Sequence, residues 1–138
     1  MPEQSETRCD QPLRFSIPAL NARGRMVRLD AVLNEVLAAH AYPPAIEKIL
    51  AEALVLTALL GTTLKDREGQ LTIQAQTENG PISLLVCDYI DGAVRGYAQF
   101  DLVKLAEVPA DPNLFALFGK GYLAVTFDRP FPDAQAGG

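Results

Sequence analysis

Two thiols, one imidazole and a few turn aspartates are the groups through which this chain could do covalent or acid–base chemistry. Cys9 and Cys87 stand 78 positions apart and form no CxxC or CxC pair. Zinc and dithiol redox centres depend on closely spaced thiols, which put several ligands on one turn. Cys9 sits in a polar N-terminal stretch and Cys87 in an apolar strand pattern, so the plain reading is one mobile thiol and one small core residue. A disulfide between them stays open, subject to its demanding geometry. His40, the one histidine, falls at the end of a helical pattern, where a cationic ring interacts well with the helix C-terminus. No Ser or Cys lies beside it in a local catalytic motif.

Gly119-Lys120-Gly121 has a glycine–lysine pair, but its spacing is not that of a phosphate loop and it leads into a strand, so it reads as a turn. Asp88, Asp91 and Asp101 fall at or beside turns, where aspartate normally makes local hydrogen bonds. Nothing here builds an enzyme site. The apolar residues Leu114, Phe115, Leu117 and Phe118 crowd one short segment beside prolines and glycines. They pack a short helix onto the sheet, or they form a partly exposed patch that accepts apolar segments of other proteins.

Composition narrows the field. The chain has 138 residues, 49% hydrophobic and 21% charged, which suits one globular domain with a real core. A net charge of -5 opposes nucleic-acid binding, which needs clustered Lys and Arg. The densest basic stretch, Arg23, Arg25 and Arg28, has no aromatic interleaved and reads as a solvated face. Residues 1–12 lack the apolar run of a signal peptide, and residues 53–60 are too short a run for a bilayer. The expectation is a soluble, cytoplasmic protein with neither nucleic-acid nor membrane partners.

The elements that must position these residues follow from periodicity. Residues 1–13 are polar and read as a disordered lead-in, with an extended piece over 14–20 and a turn over 21–24. Leu29, Val32, Leu33, Val36 and Leu37 trace one helical stripe, which Pro43-Pro44 ends. A second, longer helix starts at these prolines and becomes apolar nearly all round from Ala53, predicting burial on every side. Strands are expected over 71–76, 82–89 (the central one) and 93–100, joined by turns at Asn79-Gly80 and Asp91-Gly92. An irregular connector over 101–112, a helical turn over 113–118, a strand over 122–127 and a loose tail over 129–138 complete the chain. The fold class is α+β: mixed or antiparallel sheets in a hairpin meander, packed around a long, largely buried helix with a second amphipathic helix. One domain is expected over 14–128.

Tyr42-Pro43-Pro44-Ala45, TALLGTTLK (57–65), GQLTIQAQ (69–76), Gly80-Pro81, Arg95-Gly96-Tyr97-Ala98 and LFGKGYLAVT (117–126) occur in an order and spacing that resembles the N-terminal domain of the redox-regulated heat-shock holdases, the thirty-three-kilodalton chaperonin family. The resemblance spans roughly residues 13–127. It implies an ATP-independent chaperone that captures unfolding proteins under oxidative and heat stress, with a domain able to dimerise. It also implies a zinc module further along the family's chain, whose CxC and CxxC pairs sense oxidant. Neither pair occurs here, so no metal, cofactor or redox role carries over to Cys9 or Cys87.

Three functions are therefore weighed. The first is a holdase portion without the zinc switch, with Leu114, Phe115, Leu117 and Phe118 as the client-binding candidates and unfolded proteins and a second copy as partners. The second is a remnant that only dimerises. The third is a thiol enzyme using Cys87, whose neighbours Val86 and Asp88 offer neither the access nor the positive charge that activates a thiol.

Overall fold

A computed structural model describes residues 11–64, 69–109 and 112–128. The chain opens with a hairpin of β1 (Gln11–Ile17) and β2 (Ala22–Arg28), closed by a 3-10 turn over Pro18–Leu20. The helices α1 (Ala31–Ala38) and α2 (Pro44–Gly61) follow, and then the meander β3 (Gln70–Glu78), β4 (Ile82–Ile90) and β5 (Ala93–Phe100). Two short helices, α3 (Leu102–Ala106) and α4 (Leu114–Leu117), lead to β6 (Lys120–Asp128).

The meander and β6 form one four-stranded antiparallel sheet in the order β5-β4-β3-β6, with β4 inside it as its apolar sequence predicts. At the β4–β5 turn Asp91 and Gly92 have φ of 53° and 80°, the two positive values that a two-residue hairpin matched to strand twist requires. β6 closes the sheet by a longer return, running antiparallel to β3 with Glu78 opposite Lys120 and Gln70 opposite Asp128.

Pro44 starts α2 where a missing N–H costs nothing. The helix lays Ile46, Leu50, Leu54, Thr57 and Ala58, spaced as one face, onto the sheet. Beneath them lie Leu71 and Ile73 of β3, Ile82, Leu85 and Cys87 of β4, and Ala98 of β5. Each fully buried Leu or Ile contributes about 1.5–3 kcal/mol. Thr57, the one buried polar residue of this core, donates its hydroxyl to the Ala53 carbonyl at 2.7 Å, so its burial leaves nothing unpaired. At the C-terminus of α2 the Thr62 and Thr63 hydroxyls donate to the Leu59 and Leu60 carbonyls. Arg25 of β2 donates to the Thr62 carbonyl and tethers the hairpin to the negative end of the helix dipole.

Several expectations are corrected. β1 starts at Gln11, so residues 11–13 belong to a strand and not to a disordered tail; residues 1–10 and the expected tail 129–138 lie outside the described residues. The turn lies at 18–21, not at 21–24, and the arginines there belong to β2. The connector contains α3, capped by Asp101, whose carboxylate accepts from the Val103 and Lys104 amides. Both sheets are antiparallel, as the hairpin-meander expectation had it. The second half of α2 is not buried on every side: the sheet covers one face only, and Leu56 remains 48% exposed.

Candidate functional site

The four client-binding candidates sit on or just after α4, which Asn113 caps by accepting from the Ala116 amide at 2.9 Å. A single helical turn cannot point Leu114, Phe115, Leu117 and Phe118 all the same way. Leu117 is 4% exposed and joins the core cluster, with Phe118 packed against that cluster and bridged to Ile82. Leu114 and Phe115 point outward, at 56% and 92% exposure. The structure thus divides the group into two anchors and two exposed side chains.

Between α4 and the N-terminal half of α2 lies a cleft of about 390 Å³, bordered by Ala45, Ile49, Glu52, Leu114 and Leu117. Ala45, Ile49, Glu52, Leu56 and Leu59 recur at three- and four-residue steps, so the stripe that borders this cleft continues along α2 as one face. Its second half is open and lined by Val55, Leu56 and Leu59. α4 leads directly into β6, where Leu123, Val125 and Phe127 pair with Ala75, Ile73 and Leu71. Directly paired residues share a sheet face. These three therefore lie on the side that α2 covers over β3, yet all are exposed, Leu123 by 67%, because the helix does not reach the edge strand.

Exposed apolar side chains thus recur at three places: Leu56 on the outer stripe of α2, Leu114 and Phe115 on α4, and Leu123, Val125 and Phe127 on β6. Sequence reading missed Leu56, Leu123, Val125 and Phe127. Their alternation and helical spacing are those of core residues, and only the order of strands shows that no other element among the described residues covers them. A second apolar surface lies on the opening hairpin, where Leu13, Phe15, Ile17 and Met26 share an exposed face and the Phe15 ring lies over Gly24.

The polar candidates separate into structural roles. Asp88 accepts from the Thr72 hydroxyl at 2.6 Å and pairs with Arg95 at 3.6 Å; Asp91 makes the hairpin turn; Asp101 caps α3. The His40 ring lies exposed against Tyr42, with ring centroids 5.3 Å apart. Gly119-Lys120-Gly121 is not the turn its composition suggested: Lys120 and Gly121 are the first residues of β6, paired with Glu78 and Thr77 of β3. Cys87 is fully buried, and burial pushes its thiol up to about 12, opposed by a hydrogen bond with Thr57 and reinforced by Asp88. A neutral, walled-off thiol is neither nucleophile nor zinc ligand. The described residues do not fit a zinc site, since no three His, Cys, Asp or Glu side chains among them converge. Cys9 lies outside the described residues. No helix among the described residues is long and apolar enough to cross a membrane.

A meander of this topology with one long helix across it defines an α+β domain whose notable feature is uncovered apolar surface rather than a polar pocket. Comparison with known proteins places it. Residues 10–137 match the family described as Hsp33 protein, and the chain belongs to that family. It is 42% identical over 119 residues to the 33 kDa chaperonin of Caulobacter vibrioides, covering 83% of this chain and 39% of that protein. It is 40% identical over 114 residues to the 33 kDa chaperonin of Aliivibrio salmonicida, covering 82% of this chain and 37% of the relative. The crystal structure of the Thermotoga maritima 33 kDa chaperonin superposes with a TM-score of 0.66 at 26% identity, over 80% of this chain and 38% of that one. The chain thus spans about two fifths of the length of these relatives.

Proposed function

We propose that this chain is an ATP-independent holdase, cytoplasmic and homodimeric, that captures unfolding proteins under oxidative or heat stress, with neither a CxC nor a CxxC pair within residues 1–138. The observation that carries this reading is the exposed apolar surface of Leu114 and Phe115 on α4, next to the cleft along the N-terminal half of α2, with further exposed apolar residues at Leu56 and along β6. A chaperone without ATP gains its free energy by covering apolar surface, its own and its client's together. Contiguous exposed apolar residues on a folded domain are the means to do so. Leu114 and Phe115 make the client contact, while Leu117 and Phe118 hold α4 in place from the core side.

The test replaces Leu114 and Phe115 together with serine and follows aggregation of a thermally unfolding client by light scattering. Suppression should fall by half or more with the thermal midpoint of the chain unchanged, because neither side chain is buried. Leu117→Ala should instead destabilise the fold, by about 2–4 kcal/mol. Undiminished suppression by the folded double variant would place client capture elsewhere, with the Leu13–Phe15–Ile17 hairpin face as the next candidate.

A further inference from the structure

Charge is divided unevenly along this chain. The β1–β2 hairpin, residues 11–28, holds four arginines and no acidic residue, a charge of +4. With -5 for the whole chain, the remainder carries -9. Within the hairpin the register sets Arg14 directly opposite Arg25, and Ser16 directly opposite Arg23. Paired positions, and positions two apart on one strand, share a face, so Arg14, Ser16, Arg23 and Arg25 stand on one side of the ribbon. Their Cα atoms lie ~4.5–5.5 Å apart across the ribbon and ~7 Å apart along it. Arg14 against Arg25 is a like-charge pair, which costs stability.

Arg25 donates through Nη1 to the Thr62 carbonyl and, at 3.1 Å, to the Thr62 hydroxyl, which fixes its guanidinium at the end of α2. Arg14 borders a cavity of about 510 Å³ beside Thr62, Tyr89 and Asp91. Neither Arg14 nor Arg23 has an acidic partner among the described residues. We infer that this face is an anion site whose ligand is an oligophosphate, two or more linked phosphate groups. A guanidinium fork takes two oxygens in a bidentate pair, and a terminal phosphate offers three. Three forks therefore exceed one phosphate group and suit a chain of them, with the Ser16 hydroxyl as a further donor. The ribbon face carries no aromatic ring on which a base could stack: Phe15 lies on the other side, over Gly24, and the Tyr89 ring is packed over Gly61. The phosphates alone carry the binding. At physiological salt charges are screened over ~8 Å, so the local arginines decide what binds here, and not the net charge. The site is separate from the client surface and does not rest on the holdase reading.

The test uses the full chain in titration calorimetry and thermal melts with sodium tripolyphosphate, against sodium chloride at matched ionic strength. Tripolyphosphate should bind and raise the midpoint, and chloride should do neither. Arg23→Gln removes one fork that makes no hydrogen bond within the described chain, and binding should weaken about tenfold. Arg14→Lys keeps the charge without the fork and should bind less tightly than the native chain. Arg14→Gln should act in two opposite directions. It should raise the midpoint of the free chain by relieving the pair with Arg25, and it should weaken tripolyphosphate binding. Adenosine triphosphate should bind no more tightly than tripolyphosphate. Equal stabilisation by chloride would reduce the effect to screening and overturn the inference. An Arg23→Gln chain that binds like the native one overturns it as well. So does a lowered midpoint in Arg14→Gln, which would make Arg14 a structural residue, and so does tighter binding of adenosine triphosphate, which would place the ligand on another surface.

Discussion

Tyr42 and Ala98, 56 positions apart, are joined by a 3.2 Å hydrogen bond in which the Ala98 amide donates to the Tyr42 hydroxyl. The bond occupies an outward-facing donor of β5 and closes that edge of the sheet to other strands. The Tyr42 ring also packs against Phe100, with centroids 6.1 Å apart, so the segment between the two helices is fixed to β5 by both its polar tip and its apolar body.

Tyr42→Phe isolates the polar part of that contact, because phenylalanine keeps the ring. Leaving the Ala98 amide without a partner should cost about 1 kcal/mol. Urea denaturation should show a lower midpoint with an unchanged slope. An unchanged midpoint would mean that the hydroxyl adds nothing to stability.

Gly92 offers a cleaner measure of backbone strain. An added Cβ there meets nothing within 4 Å, and φ is +80°. Gly92→Ala should therefore lose about 1–2 kcal/mol through conformation alone. Gly92→Asn, which tolerates positive φ, should recover much of that loss in the same thermal melts.

Cys87 ties stability to alkaline pH. Its folded value is raised from 9.0 to about 12, so below pH 9 both folded and unfolded thiols stay protonated and stability does not depend on this group. As pH rises from 9 towards 12 the unfolded chain ionises and the folded one does not, and stability falls by up to about 1.4 kcal/mol per pH unit. Chemical denaturation across that range should show the decline in the native chain and a shallower one in Cys87→Ala. In the folded state Cys87 should also resist a thiol reagent until the chain is unfolded.

Local signals in the sequence located much of the architecture. The stripe from Val32 to Leu37, the Pro43-Pro44 break and the Asp91-Gly92 turn each act through neighbours a few residues away. What escaped depends on distant partners. Arg23, Arg25 and Arg28 look like a charge run until β1 supplies a pairing strand and Thr62 a carbonyl for Arg25. The bare side of α2 at Leu56 and the open face of β6 at Leu123 were hidden for the same reason, since burial depends on which strand lies at the edge. The candidate site was half visible: the cluster around Phe115 stood out by composition, but which of its members face outward was decided by α4's single turn and the pull of the core on Leu117.

The most direct measurement mixes the purified chain with a thermally unfolding client and follows light scattering with and without reductant. The expected result is suppression of aggregation, saturable with chain concentration and equal in both conditions, because no oxidant-sensing cysteine pair is present in this sequence. Unsuppressed aggregation in the presence of the folded chain would contradict the holdase assignment, and suppression that reductant abolishes would contradict its independence of thiols.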